Sequence, residues 1–152
     1  MVKFAAGERT MTEMQGRAGA PWYFWVVVAV SLLWNGLGVV LWSGTSLAPD
    51  TFLQGTPEAQ RAYVSGLPWW STVTWGLGVV GGLAGTVLLL LRQRRAGPVF
   101  GASLFGAVTN TMVYLTNPPP AGFFNPGLTA FIIGFALFLF WFAGFCKQRG
   151  IL

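Results

Sequence analysis

The chain has 152 residues, of which 54% are hydrophobic and only 9% are charged, and its formal net charge is +5. This apolar excess is typical of membrane proteins, and the basic residues flank the apolar runs, so the charge indicates membrane orientation rather than nucleic-acid binding. The chain has no histidine, so by itself it cannot form a histidine-ligated metal or haem site. Its one cysteine, Cys146, allows neither a cysteine cluster nor an intramolecular disulfide, and we expect no cofactor.

Residues 1–20 are polar and of mixed charge, and they are predicted to form a cytoplasmic tail, with a short segment on the membrane surface as the alternative. The apolar run at residues 22–42 is longer than the apolar region of a signal peptide, so it is predicted to be an uncleaved span. On a helical wheel five of its residues share a face, which we expect to meet protein rather than lipid. They are Phe24, Ser31, Asn35, Gly38 and Trp42.

Residues 43–68 form the longest connection between apolar runs, and they contain a helix-start signal. Thr56 fits the N-cap position, Pro57 the first helical position and Glu58 the first turn, and Gly66 marks the end. We expect this helix to lie at the membrane interface as an extracytoplasmic cap on the bundle.

The second apolar run, residues 69–91, contains no charged residue and is closed by three arginines. At about 100° per residue, its glycines fall on one face. These glycines are Gly78, Gly81, Gly82 and Gly85. They include two GxxxG spacings, which let the backbone of a second helix approach closely. The second span is therefore predicted to be the central packing helix.

The third span is predicted at residues 98–115, and its small and polar face includes Gly106, Thr109 and Asn110. The turn before it, residues 92–97, is short enough to make the second and third spans an antiparallel helical hairpin.

The fourth span is predicted at residues 127–146, after an uncharged connection that three prolines stiffen. Asn125 and Pro126 are the N-cap and first-position signals for its start. Gly134 lies on one edge of this helix, beside a stripe of phenylalanines with helical spacing. The stripe is Phe131, Phe135, Phe138, Phe142 and Phe145. Such a stripe suits contact with lipid, and also a quinone, a pigment or a partner helix.

Basic residues concentrate on one side of the predicted spans. Eight of the nine lysines and arginines lie in the tail, in the turn at residues 92–97 and after the fourth span, whereas the other two connections contain only Arg61. By the positive-inside rule, both termini and that turn are expected in the cytoplasm. We therefore expect a multi-pass protein of the bacterial inner membrane.

The sequence offers little for catalysis. None of the four spans contains Asp, Glu, Lys, Arg or His, the four carboxylates lie outside them, and no phosphate-binding or catalytic serine motif is present. We therefore expect that the protein is not an enzyme.

Asn35 and Asn110 are the strongest polar candidates within the membrane. Each lies about twelve residues past the cytoplasmic start of its span, so we expect them at similar depth, where they could meet across the core. Two interpretations stand: hydrogen bonding between helices, or a polar solute site completed by Ser31, Thr74 and Thr109.

Four segments of the chain resemble a family of small bacterial four-span inner-membrane proteins, some of which are labelled sugar transporters. The segments are Trp34-Asn35 with Gly38, the stretch from Thr56 to Tyr63, Pro68 with Trp70, and the glycine-rich run from Trp75 to Gly85 with the leucines and arginines after it. The resemblance covers roughly residues 25–115 and implies the same four-span fold. Where the family often has an acidic residue three positions after the glycine of span one, this chain has Leu41.

Together these patterns predict one membrane domain over residues 1–152: an all-α, antiparallel four-helix bundle with a short extracytoplasmic helical cap. The expected function is that of a non-catalytic accessory or scaffolding subunit, which packs in the lipid bilayer against a larger membrane complex or a second copy. The alternative is a small-solute transporter or channel that acts as an oligomer, with Asn35 and Asn110 lining the path.

Overall fold

The computed structural model describes residues 19–152, so residues 1–18 of the expected tail lie outside the described part of the chain. The helices within residues 19–152 are α1 (Trp22–Leu47), α2 (Pro49–Phe52), α3 (Glu58–Gly66), α4 (Trp69–Leu90), α5 (Ala96–Thr116) and α6 (Pro126–Gln148). Four of them, α1, α4, α5 and α6, are long and apolar enough to cross a membrane. The prediction of an all-α fold with four spans is confirmed.

Prolines and one asparagine set several of the helix ends. The Asn125 side-chain oxygen accepts a hydrogen bond from the Leu128 amide at 3.0 Å, and Pro126 takes the first helical position of α6, as the sequence signal predicts. α1 continues five residues beyond its predicted end and stops at Leu47, because Ala48 precedes Pro49 and the residue before a proline is disfavoured in helical geometry.

The cap helix α3 starts differently from its prediction. Pro57 rather than Thr56 occupies the N-cap position, and no side chain caps the helix start. The preference of threonine for N-caps is outweighed by the extended conformation that Pro57 adopts, with φ −53° and ψ 141°.

The long helices form an up-and-down bundle in chain order. α4 packs against both α1 and α5, and α5 packs against α6. The contact of α6 with α1 is made by aromatic side chains, among them Phe142 with Phe24 and Phe131 with Trp34. The backbones are therefore closest at the glycine-rich helix α4 and are held apart by rings between α6 and α1.

One end of the bundle combines the start of α1, the turn at residues 92–97 and the end of α6, and we call it the basic end. The other end, which carries α2, α3 and the connection at residues 117–125, is the loop end. The buried apolar side chains cluster at the basic end, with Phe24, Leu89, Phe100 and Cys146 among the least exposed. Among residues 19–152, Val113 is the only buried apolar residue outside this cluster.

At the basic end, α4 and α6 terminate in the same way. Arg92 (φ +55°) and Gly150 (φ +68°) adopt the left-handed conformation just past each helix, where glycine is usual. The next amide bonds back across the last turn in both cases, for example from Ile151 to the Cys146 carbonyl oxygen at 2.9 Å. Arg92 Nε donates to the Ile151 carbonyl oxygen at 3.0 Å, which links the two helix ends.

Candidate functional site

The first candidate residue, Asn35, lies near the middle of the bundle and is 8% exposed. Its Nδ2 donates to the Ser31 carbonyl oxygen at 2.9 Å, one turn earlier on α1. Its Oδ1 lies against Gly82 of α4, where a Cβ atom would overlap it, and Ser103 Oγ of α5 would lie 3.3 Å from the same Cβ. Three helices therefore meet at Gly82, and their polar atoms share the space that the missing side chain leaves.

The hydroxyl groups around this point donate to backbone carbonyl oxygens. Ser31 Oγ donates to the Val27 carbonyl oxygen at 2.7 Å, and Thr86 Oγ1 donates to that of Gly82 at 2.8 Å. Ser103 Oγ crosses from α5 to α4 and donates to the Gly78 carbonyl oxygen at 2.5 Å. These protons serve to satisfy polar groups inside the bundle and to join α5 to α4.

The second candidate residue, Asn110, lies elsewhere. Its Oδ1 is 3.5 Å from Thr74 Oγ1, whereas Asn35 is level with Gly82, eight residues further along α4. Eight residues of helix correspond to about 12 Å. The structure does not bring the two asparagines together, so the expectation of a shared depth is wrong.

The reason is the stagger of the helices. Asn35 is level with Ser103 on α5, and Ser103 precedes Asn110 by seven residues, or about 10 Å along that helix. α1 therefore starts further out at the basic end than α5 does, and counting residues from each helix start does not give a common depth. Thr109 is half-buried and makes no hydrogen bond with the other four candidates within residues 19–152.

The glycines of α4 contact α5 and α1 of the same chain. A Cβ at Gly78 would lie 3.4 Å from the Ala107 amide nitrogen, and one at Gly81 would lie 3.2 Å from Ser103 Cβ. At Gly85 the added atom would lie 2.8 Å from the Phe100 ring. The small face of α4 is thus filled by its own neighbours.

Glycines on the other helices differ in how closely they are packed. A Cβ at Gly106 would lie 2.7 Å from the Gly78 nitrogen and 2.8 Å from the Thr74 carbonyl oxygen, and one at Gly38 would lie 2.8 Å from a Val79 methyl group. By contrast, Gly134 on α6 has open space around it. It takes no part in packing within the described chain.

One close contact of α4 falls outside the glycine face that the sequence indicates. Trp42 lies over Gly76, and its Nε1 donates to the Thr72 carbonyl oxygen at 2.9 Å. Trp42 belongs to the face of α1 that the sequence predicts to meet protein, but the sequence does not indicate Gly76 or the Thr72 carbonyl as its contacts.

The phenylalanine stripe of α6 forms a continuous series of rings. Successive members of the stripe lie 5.7–6.3 Å apart between ring centroids, with interplanar angles of 8–25°. Trp34 of α1 makes edge contacts with Phe131 and Phe135. Phe142 is buried against Phe24 and Tyr23, which the sequence did not link to the stripe. The stripe therefore forms the joint between α6 and α1 while its outer edge remains exposed.

At the loop end, α3 is fastened to the proline-rich connection. The Tyr63 hydroxyl donates to the Asn117 carbonyl oxygen at 2.7 Å, and its ring lies 5.2 Å from that of Phe123. Burial raises the pKa of the Tyr63 phenol above its usual value of 10.0, and the nearby Tyr114 adds to the shift. The neutral phenol that donates this hydrogen bond is therefore favoured in the folded protein.

Four apolar helices, an internally hydrogen-bonded polar core and close glycine contacts define a multi-pass membrane protein with a helical-bundle fold. Comparison with known proteins finds no matching family model, no similar curated protein and no similar solved structure.

Proposed function

We propose that the protein is a non-catalytic accessory or scaffolding subunit of a membrane assembly, which binds a larger membrane protein or a second copy of itself. The observation that carries the proposal is the use of the polar core: the Ser31, Thr86 and Ser103 hydroxyls all donate to backbone carbonyl oxygens. Two of these bonds each lie within one helix and the third joins α5 to α4, so the three hydroxyl protons are used by the backbone of the bundle, which favours a structural role over solute handling.

The outer face of α1 is the surface we propose for the partner. Leu33 and Leu37 are 77% and 55% exposed, and Gly36 between them has nothing within 4 Å of an added Cβ. A small residue flanked by exposed leucines lets a second helix approach closely in lipid. The glycine face of α4 is not available for this role, because α1 and α5 of the same chain fill it.

A photocrosslinking amino acid placed at Leu33 tests this surface in membranes. We expect a covalent adduct with a membrane protein or with a second copy, identified by mass spectrometry. The matched control is the same substitution at Phe105 on α5, which is 65% exposed but lies outside the proposed surface. Adducts with lipid alone at both positions would contradict the subunit proposal.

The transporter alternative has less support from the geometry, because Asn35 and Asn110 contact α4 about 12 Å apart along its axis and do not face one another. Flux of solutes into liposomes containing the purified protein, abolished by Asn35→Ala, would favour the transporter over the subunit.

The proposed location is the bacterial inner membrane, with both termini and the basic end in the cytoplasm. Support comes from the distribution of lysine and arginine, since Arg61 is the only one of the nine in the loops at the opposite end. A cysteine introduced at Gln93 should be labelled by a membrane-impermeant maleimide only after cells are opened. Labelling in intact cells would reverse the orientation.

Membership of the four-span inner-membrane family that the sequence resembles stays a prediction. The described fold is compatible with it, since the segments that carry the resemblance fall on α1, α3 and α4.

A further inference from the structure

A shallow groove of about 590 Å³ opens on the outer side of α6. Its lining is apolar and consists of Gly134, Leu137, Phe138, Phe140 and Trp141. The groove exists because Gly134 has no side chain: an added Cβ there would meet nothing within 4 Å. It lies on the opposite side of the helix from Leu139 and Ala143, which face the core.

The groove leads towards a basic helix end. The Trp141 ring lies 5.5 Å from that of Phe145, and the Arg149 guanidinium lies over the Phe145 ring at 5.1 Å. Lys147 is also exposed, but two residues further along a helix means a rotation of about 200°, so Lys147 and Arg149 lie on different sides of α6. The apolar groove is thus continued by stacked rings to one positive charge, that of Arg149.

The length of this path matches one leaflet of a membrane. From Gly134 to Arg149 the chain rises by fifteen residues, or about 22 Å. Half of a bilayer, headgroups included, is also about 20–22 Å thick. A lipid whose headgroup lies at Arg149 can therefore extend an acyl chain as far as Gly134.

The charges select the type of lipid. The carboxylate side chains within residues 19–152, Asp50 and Glu58, both belong to the loop end, so neither competes for the cations of α6. We propose that this face of α6 binds an anionic phospholipid, with the phosphate at Arg149 and one acyl chain in the groove at Gly134. This inference goes beyond the subunit role and does not depend on it.

Native mass spectrometry of the full chain in detergent tests the proposal, with phosphatidylglycerol and phosphatidylcholine of identical acyl chains as probes. We expect phosphatidylglycerol to bind more tightly. Arg149→Gln should lower its affinity about fivefold, the equivalent of roughly 1 kcal/mol for a basic residue near an anionic headgroup. Arg61→Gln, which removes one positive charge at the loop end, is the matched control and should leave the affinity unchanged.

The acyl-chain part is tested separately by Gly134→Leu, which adds a side chain to the groove at a position where the new Cβ meets nothing within 4 Å. The loss of about five carbon–carbon contacts corresponds to about a threefold fall in affinity. Gly66→Leu on α3 is the control, since its position is equally open and lies at the loop end, away from the groove. The proposal is overturned if the two lipids bind equally, if Arg61→Gln weakens binding as much as Arg149→Gln does, or if Gly134→Leu has no more effect than Gly66→Leu.

Discussion

Gly106→Ala is the change that should most directly disturb the bundle. A Cβ atom at this position would lie 2.7 Å from the Gly78 nitrogen and 2.8 Å from the Thr74 carbonyl oxygen. Ordinary contact of a Cβ begins at 3.4 Å, so α4 and α5 would have to separate by about 0.7 Å. Both neighbouring atoms belong to helix backbone, and a rotamer change therefore cannot relieve the overlap.

The expected loss of stability follows from two opposing effects. Overpacking of a close contact costs about 3 kcal/mol at the upper end of the usual range. Replacing glycine by alanine within a helix returns about 1 kcal/mol. The net destabilisation is about 2 kcal/mol, which for a chain of this length corresponds to a fall in Tm of about 4–8 °C.

Thermal unfolding in detergent micelles, followed by circular dichroism at 222 nm, measures this change. Gly36→Ala is the matched control, because an added Cβ there has open space and should raise stability by about 0.5–1 kcal/mol. The account of the α4–α5 contact fails if Gly106→Ala unfolds at or above the wild-type temperature while the control behaves as expected.

Three further changes have defined outcomes. Gly82→Ala should destabilise the bundle because its Cβ overlaps Asn35 Oδ1, and adding Asn35→Ala should restore part of the lost stability. If the stability changes of the two substitutions are strictly additive in the same unfolding assay, the contact is excluded. Arg92→Ala should be less stable than Arg92→Gly by about 1 kcal/mol, because only glycine adopts φ +55° without strain. Both variants lose the hydrogen bond to the end of α6, so that loss cancels in the comparison. Equal stabilities of the two variants would refute this. Because its pKa is raised, Tyr63 stabilises the attachment of α3 at pH values below 10, and this contribution is lost as the pH rises through the folded-state pKa. Limited proteolysis of the loop between α1 and α4 should therefore increase at high pH in the wild type. In Tyr63→Phe it should be high at all pH values.

The four spans could be predicted from the sequence because each apolar run must by itself be long enough to cross the bilayer. About twenty uncharged residues closed by arginine or proline suffice to locate a span, whatever its neighbours do. The start of α6 at Asn125 and Pro126 could also be predicted, because the capping hydrogen bond from the Leu128 amide to Asn125 depends only on neighbouring residues.

The contacts of the candidate site could not be predicted in the same way, because they depend on how far one helix is shifted along another. Asn35 contacts Gly82 rather than approaching Asn110, and the shift responsible is set by side-chain fit over the whole α1–α4 contact. Likewise, the phenylalanine spacing on α6 is evident in the sequence, but only the structure shows that Trp34 and Phe24 are the rings it meets.

The buried apolar side chains are concentrated near the 92–97 turn, so the two ends of the bundle are expected to differ in local stability. Around Phe24, Leu89 and Phe100 the four long helices share a buried apolar cluster, whereas towards α3 they are held by close glycine contacts, such as Gly106 with Gly78, and by single hydrogen bonds such as that of Tyr63. Amide hydrogens should therefore exchange with deuterium first at the loop end and last around the apolar cluster at the basic end. A bilayer that becomes thinner or thicker is therefore expected to displace the loop end more than the basic end.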